Sequence, residues 1–115
     1  MRRSVLAQCG DWFAIDLAPV HTKHELLDAF ARALGFPATF GQNWDALADT
    51  LQDMSWHPAS GYVLHLQNVA SAERALAEDW PTLLEVLSAS TMYWKRHGKP
   101  FIVFVDPTHG LPQWT

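Results

Sequence analysis

Cysteine is nearly missing from this sequence. Cys9 stands alone among 115 residues, which excludes an intramolecular disulfide and any cysteine-rich zinc site. Long apolar runs are missing too, and none approaches the roughly 18 residues of a membrane span. Behind Met1-Arg2-Arg3 the apolar stretch is only Val5-Leu6-Ala7, too short for the core of a signal peptide. The lone thiol then suits a reducing cytoplasm. The six glycines, at 10, 35, 41, 61, 98 and 110, are scattered, and no two frame a phosphate-cradling loop. An excess of positive charge is also lacking. The formal net charge is −4, whereas a general nucleic-acid binder needs a basic surface. Repeats, low-complexity tracts and linkers are not found.

What is present fits one globular domain. Hydrophobic residues make up 49% and charged ones 17%, and a chain this short holds a single core. The expectation is one domain over residues 1–115, with its core at about 12–105 and an irregular tail over 106–115. Six tryptophans stand out, because indoles are enriched in cores and in binding hot spots. Charge is unevenly placed. No lysine or arginine lies between Arg32 and Arg74, and that gap holds Asp45, Asp49, Asp53 and Glu73.

The chain order reads as strand, two helices, strand, two helices, strand. Trp12 to Leu17 predicts a first strand, ended by Pro19. Thr22-Lys23-His24-Glu25 is a capping box. It opens a helix with Leu26, Leu27, Phe30, Ala33 and Leu34 on one face, stopped by Gly35. A loop from Phe36 to Gln42 follows, and Asn43 can cap a second helix to about Met54. Tyr62 to Gln67 predicts a second strand. Ser71 can cap a short helix to about Glu78, and Asp79 with Pro81 can open a longer one ending near Gly98. Phe101 to Val105 has no polar alternation and predicts a third strand buried on both faces, with Trp12 and Phe104 in the core. Strands separated by helices imply an α/β domain, a small three-stranded parallel sheet packed with about four helices. The strand order is not readable.

Several residues invite a chemical reading. His21 and His24 are close enough to share a metal, but Glu25, the nearby carboxylate, belongs to the cap, so no metal or cofactor is expected. His65 reads as a structural histidine on a strand. Cys9 lacks a positioned base and reads as a small, partly buried residue. Asp16, at the end of the first strand, stands where α/β enzymes often place catalytic groups, and with a histidine it would make the less favoured enzyme reading.

The second helix is the informative element. At about 100° per residue, Asp45, Asp49 and Asp53 fall on one side. Trp44, Leu47, Ala48, Leu51 and Met54 fall on the other. Like charges four residues apart repel, and no cation nearby in sequence offsets them. A row of acids beside an aromatic loop suits docking onto a cationic surface such as a nuclease cleft, or onto a basic partner that is not a nuclease.

Phe36-Pro37, then Phe40-Gly41-Gln42-Asn43-Trp44-Asp45-Ala46-Leu47, then Asp49-Thr50-Leu51 resembles the signature of the barstar family of ribonuclease inhibitors. Element order and lengths resemble that family from about residue 12 to 105. The resemblance implies a cytoplasmic antitoxin or immunity protein without catalysis or cofactor. Its partner would be a small basic ribonuclease or nuclease toxin, not nucleic acid or a membrane. The contact residues it implies are Thr39, Phe40, Gly41, Asn43, Trp44, Asp45, Ala48, Asp49 and Asp53. Asp49 matches the family's most buried acid, which stands where a substrate phosphate would. Phe40 would be an exposed anchor, and Trp44 suits core and interface equally. Thr39 stands where the best-known member has a tyrosine, and Ala48 where it has a tryptophan. The family's further acidic contact, near Ala89, is absent.

Overall fold

The computed structural model describes residues 10–105. Cys9, the N-terminal segment and the tail expected to be irregular lie outside those residues. The elements are β1 (Asp11–Asp16), α1 (Lys23–Leu34), α2 (Trp44–Leu51), β2 (Tyr62–Gln67), α3 (Val69–Ala75), α4 (Trp80–Arg96) and β3 (Phe101–Val105). The three strands form one parallel sheet in the order β1-β2-β3. The α/β expectation of a three-stranded parallel sheet with four helices therefore holds.

Local chemistry explains α1 well. The Glu25 amide donates to Thr22 Oγ1 at 3.1 Å, and the Thr22 amide donates to Glu25 Oε1 at 3.2 Å. This reciprocal pairing satisfies donors that the first turn leaves open. The helix buries Leu26, Leu27, Phe30 and Leu34, with Ala33 half-buried. Gly35 closes it in the left-handed region at φ 68°. The third helix starts earlier than its sequence suggests. It opens at Val69, so Ser71 lies inside it. Asn68, left-handed at φ 56°, turns the chain directly out of β2, and its side chain is spent on Asp16. Asp79 stands at the start of α4 but makes no side-chain cap bond.

The sheet buries one face. Phe13 and Ile15 of β1, Tyr62, Leu64 and Leu66 of β2, and Phe101 of β3 enter the core with the apolar sides of the helices. The second face departs from expectation. Trp12 is 37% and Phe104 43% exposed, and β3 grades from buried Phe101 to exposed Val105. The strand order supplies the reason. Two right-handed parallel crossovers stepping in the same direction place their helices on the same side of the sheet. β3 is moreover an edge strand, so its continuous apolar run does not signal burial on both faces. On the open face Trp12 meets His65 edge-on at 6.0 Å, and His65 meets Phe104 at 5.0 Å. Those three rings span the three strands. Val63, between Trp12 and Ile102 in register, is covered by its neighbours.

One glycine is fixed by a close approach. Gly10 has φ 137°, and a Cβ there would lie 1.9 Å from the Gly61 carbonyl oxygen. The Asp11 amide donates to that same oxygen, so the entrance to β1 needs a residue without a side chain.

Candidate functional site

The loop before α2 is tied down by its aromatics. The Phe36 amide donates to Ala31 O at 2.9 Å, just past the end of α1. The Phe36 ring stands edge-on to Trp56 at 5.6 Å and to Phe40 at 4.8 Å. The Trp56 indole donates to Leu34 O at 3.3 Å, closing the last residue of α1. Within the loop, the Phe40 amide donates to Pro37 O and the Asn43 amide to Gly41 O. Phe40 is consequently half-buried against the core instead of standing free as an anchor. Thr39 is exposed. Gly41 is exposed too, its φ is not in the left-handed region, and a Cβ there would meet ordinary contacts. The free fold thus makes no demand for glycine at that position.

Asn43 starts α2. Its Oδ1 accepts the Ala46 amide at 2.7 Å, which satisfies an open donor of the first turn. The helix then divides by face. Leu47 and Leu51 are fully buried, while Trp44 and Ala48 are half-buried. Asp45 and Asp49, four residues apart, are exposed on the other side. Among the described residues neither forms an ion pair; Arg32 pairs with Asp28, and the His57 ring contacts Asp11. The fold does bring one cation to the start of this helix. Lys23 of α1 sits with Nζ 5.7 Å from the centroid of the Trp44 ring, a contact that sequence spacing could not reveal.

Asp53 corrects the expectation of a three-acid helical ridge. The helix ends at Leu51 with Gln52 as its C-cap, so Asp53 lies in the following turn. Just past that turn Met54 adopts φ 51°, so the helical backbone does not continue, and its side chain is almost completely buried. The Asp53 carboxylate accepts from Ser55 Oγ at 3.1 Å. It stays exposed, at the negative end of the helix dipole.

His57 Nε2 lies 2.6 Å from Asp11 Oδ2, and the Tyr62 hydroxyl donates to His57 O at 2.9 Å. Burial pushes the Tyr62 hydroxyl above its ordinary pKa, and the negative charges of Asp11 and Asp53 push it further.

Asp16 is held by hydrogen bonds at the ends of two strands. Its Oδ1 accepts from Asn68 Nδ2 at 2.8 Å and from the Ala18 amide at 3.0 Å. The Asn68 bond first, and the Ala18 bond second, hold its carboxyl below its ordinary value. A general acid working near neutral pH needs the opposite shift. The open depression beside it is lined by Glu25, Ala29, Arg32 and Ala33 and holds no histidine. Asp16 instead clasps the ends of β1 and β2. Because its folded pKa is depressed, its contribution to stability is complete above the unfolded value. It is lost as the pH falls through the folded one. Asp16→Asn keeps an acceptor oxygen and removes the titration. The stability gap between wild type and this variant should therefore narrow below about pH 4. Denaturant unfolding at pH 6 and pH 2.5 checks this, and a gap that stays constant would assign Asp16 no such linkage.

Among the described residues no group of three or more histidine, cysteine, aspartate or glutamate side chains is placed to hold a metal ion. No helix there is long and apolar enough to cross a membrane.

Comparison with known proteins places this geometry. No curated protein matches the chain. The family described as "Barstar (barnase inhibitor)" matches residues 11–106. The match starts where β1 starts and runs one residue past β3, so it takes in the sheet, the four described helices, the loop over residues 36–43 and the acid-bearing helix after it. With that span covered, the chain belongs to the barstar family, a family of inhibitors and not of enzymes.

Proposed function

We propose that this chain inhibits a small basic ribonuclease by seating α2 and the loop over residues 36–43 in its active site, as a cytoplasmic antitoxin or immunity protein. The contact set is Thr39, Phe40, Gly41, Asn43, Trp44, Asp45, Ala48 and Asp49, with Asp53 at its margin. The observation that carries this reading is the state of Asp45 and Asp49. Both are exposed on one face of a capped helix, and among the described residues neither has a cation paired with it. A protein gains nothing in stability from such a pair. A cationic phosphate-binding cleft would neutralise it.

The identities of Thr39 and Ala48 shape the reading. Both are small, and Phe40 is already half-spent on Phe36. The surface therefore offers charge more than aromatic anchors. Affinity purification of the tagged protein from its source cell, with mass spectrometry of what it retains, tests the proposal. A basic protein whose ribonuclease activity is abolished by stoichiometric addition of this chain supports it. A basic partner without nuclease activity would make the chain an acidic docking module and overturn the inhibitor reading.

Charge-led docking has a kinetic signature. The association rate with the ribonuclease should be high at low salt and fall on the order of tenfold or more towards 0.5 M, roughly. Dissociation should change far less. Stopped-flow mixing across a salt series measures both rates, and a flat association rate would remove the steering role of Asp45 and Asp49.

A further inference from the structure

The geometry points to Trp94 as a positioning residue of the binding surface: its indole N–H, held in the core, locks the C-terminal end of α2 and so sets the direction in which Asp45 and Asp49 face. The inference rests on the reading of α2 as the binding element.

α2 has eight residues, too few to be stable alone. Its ends must be satisfied from elsewhere. Asn43 serves the N-terminal end. At the other end the Gln52 amide returns to Ala48 O, and the Asp53 and Met54 amides both return to Thr50 O. The carbonyl of Leu51, the last helical residue, takes its donor from a distant part of the chain. Trp94 Nε1 of α4 donates to it at 2.8 Å, in a buried bond.

The indole is itself held from several sides. Its ring lies against Tyr62 of β2 at 5.7 Å and against Tyr93 at 5.1 Å. Lys99 Nζ covers it at 5.3 Å and covers Tyr62 at 5.4 Å, while the Lys99 amide donates to Trp94 O. A cation held over two aromatic faces steadies both rings. Tyr62 in turn donates to His57 O, in the loop that follows α2. The last turn of the acidic helix and the loop after it are therefore both tied to this Tyr62–Trp94 pair. A phenylalanine would fill much of the same space but could not make the tie, because only the indole carries a donor.

Amide hydrogen exchange of the free protein, at low denaturant, is the test. In wild type, the Trp94 indole proton should show the same protection factor as the Gln52 and Met54 amides, each taken against its own intrinsic rate, since the same opening frees all three. In Trp94→Phe, the α2 amides should exchange faster by on the order of tenfold or more, as expected when a buried carbonyl loses its donor. The β2 amides of Leu64 and Leu66 should change clearly less. Equal acceleration of α2 and β2 would make Trp94 a general core residue and overturn the inference, as would no acceleration at all. If the variant does not fold, the wild-type indole protection decides alone: an indole much less protected than Gln52 and Met54 overturns it. Binding gives a separate arm, with barnase as the probe ribonuclease. Trp94→Phe should speed dissociation several-fold and leave the salt slope of association unchanged. If barnase is not bound by wild type but the exchange pattern holds, the choice of partner fails and the positioning role stands.

Discussion

Asp49→Ala is expected to weaken binding of the ribonuclease by roughly 2–5 kcal/mol or more, because it leaves buried cations of the partner without their acid. The barnase–barstar pair is among the systems that define that range, so the magnitude is carried over from the family. The same change should leave folding stability unchanged, or raise it by a few tenths of a kcal/mol. Asp49 is exposed, mid-helix and without an ion pair among the described residues. Alanine is the better helix former and removes the repulsion from Asp45, one turn back. Asp53 contributes less repulsion than a continuous helix would allow, since it sits past the C-cap. Calorimetric affinity and denaturant midpoints, measured on the same two proteins, separate the effects. Clear destabilisation would mean that Asp49 has a structural partner, and unchanged affinity would remove α2 from the active site.

The parts of this protein that were legible in its sequence are those set by near neighbours. The capping box at Thr22, the glycine stop at Gly35 and the Asn43 cap each depend on residues within one turn, and each stands where the sequence puts it. The family signature is equally local, since its glycine, asparagine and acids fall within a dozen positions. Long-range packing decided the rest. Trp12 and Phe104 read as core because they are large and apolar. Their exposure follows from which side of the sheet the crossovers take, a property of strand order. The early end of α2 goes with the left-handed backbone of Met54, just past the C-cap. Helical periodicity puts Met54 on the core side, where it is buried, but does not register that change of backbone. The tryptophan count did carry a signal, though its meaning was hidden. Trp56 and Trp94 each donate to the last residue of a helix, Leu34 and Leu51. Those contacts span 22 and 43 residues, beyond any spacing rule.

Leu47→Ala, two positions before Asp49, should produce the opposite pattern. Leu47 is fully buried and lies in the main core with Leu51, Met54 and the inner face of the sheet. Truncation removes most of its apolar surface and opens a cavity among close-packed neighbours, which costs roughly 2–5 kcal/mol. The upper part of that range is expected. The site is enclosed by the sheet, and α4, against which α2 packs, is tied to it by the Trp94 bond, so collapse around the cavity is restricted. Against a total stability of about 5–15 kcal/mol for a domain of this kind, the variant loses a large share of its stability and unfolds at a much lower denaturant concentration. Its molecules that are folded still present Asp45 and Asp49 on the intact outer face, so their affinity for the ribonuclease should drop by less than about 1 kcal/mol. Affinity measured well below the unfolding transition, beside a full denaturant curve, gives both numbers. If Leu47→Ala costs affinity as heavily as Asp49→Ala while remaining folded, the two faces of α2 are not independent. Packing against the core would then be setting the geometry of the acids as directly as their own charge does.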